Sequence, residues 1–487
     1  MHAQVASFAI IGIDARPVAV EVDMTKASAM DTQAWAVVGL GDAAIRESRE
    51  RVKAALKNSG YKIGKMRVTI NLAPADLRKE GTHLDLPMAL GVLASSGRIQ
   101  PTQARRFAVA GELSLDGTVK PVHGVLPMAI GAKEQNADGI ILPRENANEA
   151  ACVEGMPVYP VEHLREAVAF VSGELDIAPH RRVEEDDGHR QERVDFADVR
   201  GQEGAKRAME IAASGGHNIL LVGPPGSGKT MLARRLPTIL PAMSFDESIE
   251  TTKIYSIAGR MNGQLGLIRT RPFRPPHHTA SHVALVGGGI VPRPGEVSLA
   301  HNGVLFLDEF PEFSRQVLEV LRQPLEDSVV HISRAQMSLS FPANFILCAA
   351  MNPTPCGFPP GDSRCTSTPI EIQRYINRIS GPLLDRIDLH ISVPAVPIEE
   401  LQKRAEGEPS TSIRDRVQAA RALQRARFAG IPAMHCNAQM LPGDLDKHCR
   451  LDPAAQKLLE TAMKGLGLSA RAYDRILKVS RTIADLA

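Results

Sequence analysis

The stretch Gly223–Thr230 reads GPPGSGKT, and it satisfies every constrained position of the phosphate-binding loop G-x-x-x-x-G-K-[ST]. Gly223, Pro224, Pro225, Gly226, Ser227, Gly228, Lys229 and Thr230 are therefore the candidate nucleotide-binding residues. Glycines here let successive backbone N–H groups turn inward onto phosphate oxygens, and the helix that opens at the end of the loop favours negative charge at its N-terminus. Lys229 is expected to reach the β- and γ-phosphates of ATP. Thr230 is expected to offer its hydroxyl to Mg²⁺, a hard cation that keeps several waters and takes few protein ligands. The flanks supply the strand–loop–helix setting the motif needs, with apolar HNILLVG (217–223) before it and helix-forming MLARRL after it.

A second apolar run, GVLFLDEF (303–310), ends in two carboxylates. Asp308 is the candidate metal-shell carboxylate, beside Thr230, and Glu309 the candidate group that polarises water for attack on the γ-phosphate. A third run, NFILCAAMNP, puts Asn352 at its carboxyl end, where ligands of open α/β sheets gather. Its amide could orient the attacking water, and the competing reading is a turn residue before Pro353.

The rest of the chain is ordinary for a soluble enzyme. Its 487 residues suggest about three domains, and 57 basic against 55 acidic residues give a net charge of +2, so any polyanion site must be a local patch. No run of 18 apolar residues and no signal-peptide layout appears in the sequence, so no membrane partner and a cytoplasmic location are expected. Six scattered cysteines fit reduced thiols better than a disulfide framework. Residues 178–193, APHRRVEEDDGHRQER, are too polar to bury a core and read as a linker. Short strands and helices alternate before it, in VASFAIIGI, DAAIRESRERVKAALKNSG and MRVTINLAP; from about Pro397 onward IRDRVQAARALQRARF and PAAQKLLETAMKGLG read as helices. RTIADLA carries no stop signal, and the helical domain is expected to extend beyond it.

Longer strings carry a specific resemblance along essentially the whole chain: VVGLGDAAIRESRERV, NLAPADLRKEGTHLDLPMALG, DVRGQEGAKRAMEIAASGGHNILLVGPPGSGKTMLA, RPFRPPHHTASH, PRPGEVSLAHNGVLFLDE, LRQPLED and ISGPLLDRIDLHI. The chain resembles the magnesium-chelatase-like AAA+ proteins of the ComM competence family, also called YifB. The resemblance implies a multi-domain α/β protein: an N-terminal α+β domain similar to the proteolytic domain of Lon (1–177), the linker (178–193), a central P-loop AAA+ α/β domain (194–396) and a C-terminal helical lid (397–487). It implies a homo-hexameric ring that uses ATP and Mg²⁺, moves along DNA and migrates branched recombination intermediates during natural transformation, with recombination proteins as further partners. The alternative is a chelatase-type motor that remodels a protein partner.

The resemblance also assigns single residues. Arg386 in LLDRIDLH matches an arginine finger that enters the neighbouring subunit's site, against the plainer reading of an ion pair with Asp385 or Asp388. Arg471 in LSARAYDRILKVSRTIADL matches the lid arginine that touches the γ-phosphate, with Arg475 one turn on as runner-up. The Lon-like domain is expected to be catalytically inactive: His83 stands where the resemblance places the serine nucleophile and Leu126 where it places the lysine.

Two metal readings are weak. Pro275 and Pro276 break the helix that His277, His278 and His282 would need for a ligand face, so a loop contacting the nucleotide domain or DNA is expected instead. Cys356 and Cys365 lack two further thiolates, Thr354 and Ser367 standing where the family often has cysteines. For DNA the candidate cations are Arg414, Arg421 and Arg425, spaced along one helix face, with a solvated surface as the default.

Overall fold

The computed structural model describes residues 2–26, 35–183, 194–261, 266–289, 292–334, 337–397, 399–400, 407–431 and 434–487. Residues 184–193 of the linker lie outside the described residues. The chain divides into two compact units, Met1–Gly188 with Ser248–Ile268, and His189–Glu247 with Arg269–Ala487.

The first unit is built on a seven-stranded mixed sheet in the order Trp35–Val38, Met66–Ala73, Asp14–Lys26, His2–Ile11, Phe107–Val109, Gly139–Pro143 and Val158–Val161. Alternating apolar residues in Met66–Ala73 put Val68, Ile70 and Leu72 in the core, as a strand with one solvated face requires. Helix Ala43–Asn58 buries Ile45, Ser48, Val52, Ala55 and Leu56 along one stripe, and Asp42 caps its N-terminus by accepting the Ile45 N–H at 2.8 Å. Helix Asp85–Ser95 is buried on every side. Gly91 permits its close approach to the sheet, because a Cβ there would stand 2.7 Å from Val22 Cγ2.

Ser248–Ile268 completes this unit. Leu267 and Ile249 join a core of Phe8, Val125, Leu126, Met128 and Ile140, and the Ser256 hydroxyl donates to the Glu149 carboxylate at 2.5 Å. That carboxylate also accepts the Leu126 N–H at 2.9 Å. Burial raises the Glu149 pKa above its ordinary 4.5, against the pull of these hydrogen bonds.

The second unit holds a five-stranded sheet in the order Phe273–Arg274, Val304–Leu307, Ile346–Met351, Ile219–Val222 and Leu389–Ser392, with every pair parallel. The predicted apolar runs at 217–223, 303–310 and 344–353 form three of these strands. Helix Lys229–Ile239 follows the first of them directly, and its Leu232 and Leu236 pack with Ile219, Leu221, Val304, Phe306 and Ile346.

Helices Ser410–Arg427, Pro442–His448, Pro453–Leu466 and Ala470–Asp485 follow. The first of them sends Ile413 and Val417 into the core under the sheet, while Phe428, Met440, Leu445, Leu459 and Leu477 form a smaller core of their own. A buried polar chain ties the last helix to the sheet. Thr482 Oγ1 lies 2.8 Å from His217 Nε2 and accepts from Asn437 Nδ2 at 3.0 Å, and Asn437 in turn donates to Asp485 at 2.8 Å.

Glu149 makes the first unit sensitive to pH. Because its folded pKa is raised, the folded chain holds that proton more tightly than the unfolded one, and stability falls as pH rises from about 4.5 through the raised value. Glu149→Gln removes this loss. The difference in melting temperature between the variant and the unaltered chain should therefore grow in the variant's favour from about pH 5 to about pH 8; a pH-independent difference would show that Glu149 is not the titrating group.

Candidate nucleotide site

Strand order decides which residues meet. Ile346–Met351 lies between Ile219–Val222 and Val304–Leu307, with Val222 opposite Met351 and Leu307 opposite Ala349. All three run the same way, so Gly223, Asp308 and Asn352 leave the sheet at one edge. Gly226 and Gly228 take φ of 76° and 89° in the loop, where a side chain would be strained. Gly223 has no room for a Cβ, which would stand 2.1 Å from the Val393 carbonyl oxygen.

Lys229 Nζ donates to the carbonyls of Gly223 at 2.7 Å and Pro224 at 2.9 Å, and to Asn352 Oδ1 at 3.2 Å. Burial draws its pKa below the usual lysine value, with Asp308 pulling the other way. Thr230 Oγ1 donates to Asp308 Oδ2 at 2.7 Å, and Asp308 Oδ1 accepts the Glu309 N–H at 2.9 Å. Lys229, Thr230, Asp308 and Asn352 thus form one connected group. The hydroxyl and carboxylate of Thr230 and Asp308 are the oxygen donors that a hard divalent cation takes, so the residues present fit Mg²⁺.

Glu309 stands beside this group in the left-handed region, with φ of 50°, a conformation that costs a non-glycine residue about 1–3 kcal/mol. Its carboxylate lies 3.1 Å from His278 Nδ1. The histidine-rich loop therefore contacts the nucleotide region through His278. His277 packs on His278 with ring centroids 4.2 Å apart. Among the described residues no group of three or more His, Cys, Asp or Glu is arranged to hold a metal ion.

The two arginines assigned by resemblance come together elsewhere, at Glu326. Arg386 pairs with the Glu326 carboxylate and donates to the Pro382 carbonyl at 2.6 Å. Arg471 approaches the same carboxylate at 4.0 Å. The plainer reading of Arg386 as a partner of Asp385 or Asp388 is not what the fold uses. The Asp388 carboxylate accepts from His217 Nδ1 at 3.1 Å and from the Asn218 N–H at 3.2 Å, and Asp385 faces Arg475 at 3.7 Å. Arg475 is instead a tether, donating to the carbonyls of Ile387 at 2.7 Å and Leu384 at 3.3 Å.

Two positioning residues carry no motif signal. Asn218 donates to the Arg386 carbonyl at 2.9 Å and accepts the Leu347 N–H at 2.8 Å, linking the strand before the phosphate loop to the arginine segment and to the neighbouring strand. Glu326 occurs in the string LRQPLED, but nothing in its spacing points to Arg386.

In the first unit His83 is buried, with Nε2 2.7 Å from the Phe8 carbonyl oxygen, and burial lowers its pKa. Leu126 is buried as well. Of the proposed DNA-binding arginines, Arg421 donates to the carbonyls of Ala213 at 3.0 Å and His435 at 3.4 Å. It is therefore a structural cation, which departs from the expectation of a free basic face.

Three family models match: "Magnesium chelatase, subunit ChlI" over residues 195–401, "Subunit ChlI of Mg-chelatase" over 20–146, and "Magnesium chelatase, subunit ChlI C-terminal" over 407–487. The chain is 44% identical to competence protein ComM of Haemophilus influenzae over 99% of its own length and 93% of that protein. It is 42% identical to the uncharacterised YifB of Escherichia coli over 98% of its length and 92% of that protein. The chain belongs to the magnesium-chelatase-like ComM/YifB family. A shorter similarity, 30% identity over 122 residues and 25% of the chain, is to Lon protease 2 of Bacillus subtilis. Membership of the ComM/YifB family makes the protein an AAA+-type ATPase and implies general use of nucleotide and Mg²⁺. No helix among the described residues is long and apolar enough to cross a membrane.

Proposed function

We propose that this ComM/YifB family protein is a cytoplasmic motor that assembles as a homo-hexameric ring, hydrolyses ATP, moves along DNA and migrates branched recombination intermediates, as in natural transformation. The observation that carries the reading is the convergence of Lys229, Thr230, Asp308 and Asn352 on one sheet edge, together with near full-length similarity to a competence protein. Lys229 holds the β- and γ-phosphates, with the loop Gly223–Thr230 around them, and Thr230 and Asp308 hold Mg²⁺. The metal, when bound, screens phosphate charge. Glu309 polarises the attacking water and Asn352 orients it. Arg386 acts on the neighbouring subunit's ATP, and Arg471 reaches the γ-phosphate from the lid.

The Lon-like domain, proposed to span 1–177, serves binding or assembly in this reading, since His83 and Leu126 leave no activated nucleophile. The AAA+ domain is assigned to 194–396, apart from Ser248–Ile268, which packs in the first unit, and the lid to 397–487. A second reading, a chelatase-type motor acting on a protein partner, draws support from the three chelatase-subunit matches. ATPase activity with and without branched DNA separates the two. Stimulation by DNA favours the DNA motor, and indifference to DNA favours protein remodelling.

Binding and hydrolysis should separate by mutation. Lys229→Ala is expected to abolish ATP binding, whereas Glu309→Gln should keep ATP bound and unhydrolysed, because only water activation is lost. Equal nucleotide affinity in Lys229→Ala and the unaltered chain would refute the assignment.

The trans role predicts a different signature. Arg386→Ala should leave ATP affinity nearly intact and lower kcat by a factor on the order of 10³. When mixed rings form, the variant should also poison the activity of unaltered subunits. Turnover per unaltered subunit that stays constant in demonstrably mixed rings would place Arg386 outside the reaction.

DNA binding through phosphates should depend little on sequence and fall steeply with salt, as counterions are released. Because Arg421 holds backbone carbonyls, the fair test is Arg414→Ala with Arg425→Ala, leaving Arg421 in place. A flatter salt slope with basal ATP hydrolysis unchanged is expected by fluorescence anisotropy on branched and linear duplexes. An unaltered slope would return this helix to a solvated face and move the DNA site elsewhere in the ring.

A further inference from the structure

Downstream of Asn352 the chain makes a loop whose two cysteines the nucleotide chemistry does not use. Cys356 Sγ lies 3.3 Å from Cys365 Sγ, and both thiols are free and partly exposed. Gly357 and Gly361, with φ of 92° and 91°, bend the intervening chain back on itself. Thr354 Oγ1 lies 3.1 Å from Cys356 Sγ, and Ser367 Oγ accepts the Cys356 N–H at 3.1 Å. Two thiols and two hydroxyls thus occupy one cluster. With two thiols it cannot close a four-thiolate metal site, but it places two sulfurs where a bond of about 2.05 Å needs only about 1.3 Å of further approach.

Reagent access and nucleophilicity agree with this placement. A cleft of about 430 Å³ opens on Cys356, lined also by Ser367, Glu371, Arg374 and Arg378. It is large enough for a small molecule, and its charges balance, since Glu312 also lines it and pairs with Arg378 at 2.7 Å. Hydrogen bonding, from Ser367 first and then Thr354, draws the Cys356 thiol down to about 5, so it is the thiolate and the attacking sulfur. The loop also touches the nucleotide site: Gly357 sits so close to Pro225 of the phosphate loop that a Cβ would stand 2.8 Å from Pro225 Cγ.

We propose that Cys356 and Cys365 are a thiol–disulfide exchange site for low-molecular-weight disulfides, and that closing their disulfide weakens nucleotide binding through the Gly357–Pro225 contact. The Cys356 thiolate attacks one sulfur of the small disulfide, forming a mixed disulfide and releasing one small thiolate, which takes up a proton. Cys365 then loses its proton and attacks Cys356 Sγ, the Cys356–Cys365 bond forms, and the second small thiol leaves. Two protein thiols are oxidised and one small disulfide is reduced to two thiols. The effect on nucleotide binding rests on the reading of Gly223–Thr230 as the ATP site, whereas the exchange chemistry does not.

The test uses the full chain, reduced and then equilibrated across a series of glutathione to glutathione-disulfide ratios. Free thiols are blocked by alkylation, disulfides located by peptide mass mapping, and ADP affinity read in parallel. A Cys356–Cys365 linkage is expected, with ADP affinity weakened several-fold in the oxidised chain and restored by reductant. Cys365→Ser should trap glutathione on Cys356, and Cys356→Ser should leave Cys365 unmodified on the same timescale. Both cysteines remaining fully alkylated at every ratio, or glutathione accumulating equally on Cys365 in Cys356→Ser, would overturn the exchange site. A disulfide that forms without changing ADP affinity would overturn the coupling. Absence of ADP binding in the reduced chain would instead indict the nucleotide reading.

Discussion

Strand Ile346–Met351 is hydrogen-bonded on both sides, to Ile219–Val222 and to Val304–Leu307, and the nucleotide edge depends on that register. A slip of one residue in a parallel pair would exchange the side chains on the two faces of the strand. Asn352 would then no longer stand beside Lys229, and Asp308 would leave Thr230. All six residues of Ile346–Met351 are buried, so a slip would have to repack both faces of the strand against closely packed neighbours, and Asn218, whose side chain accepts the Leu347 N–H, pins the register further. Chemistry at the edge is therefore paid for by the hydrophobic core one layer below it.

The same logic explains how the arginines are kept apart from this group. Arg386 is 11% exposed and its backbone is pinned by Asn218, while its charge is met by Glu326, which is 55% exposed. An ion pair with one partner so open to water is worth about 0–1 kcal/mol. The guanidinium has a second hold in the Pro382 carbonyl at 2.6 Å, so loss of Glu326 alone would not free it. Arg475 is held by the backbone. It is committed to two backbone carbonyls, which fixes the last helix on the Arg386 segment, whereas Arg471 is 58% exposed.

Motifs whose meaning is local were legible in the sequence. GPPGSGKT, LDE and the three apolar runs around them specify strand, loop and carboxylate within a few residues of one another, and the structure assembles them as the parallel edge they imply. What sequence could not show was pairing across long separations. Glu326 meets Arg386 sixty residues away in sequence, and His278 meets Glu309 from a loop that reads by itself as a metal motif broken by proline. Arg421 shows the reverse error: helical spacing put it on a basic face, yet the carbonyls of Ala213 and His435, which no periodicity reports, take its donors.

Domain limits were harder to read than motifs for a related reason. A charged linker signals where a chain leaves one core, but no composition shift marks Ser248–Ile268, which belongs to the first unit although the residues on either side belong to the second. Its helix buries Ser248, Thr251, Thr252 and Ser256 alongside Ile254 and Tyr255, so its destination is decided by buried polar requirements as much as by apolar fit. Glu149 sits in an apolar core and needs donors; Ser256 and the Leu126 N–H provide them. A buried carboxylate without such donors is costly, so the inserted segment and the core it enters specify one another, and neither half of that agreement is visible in its own stretch of sequence.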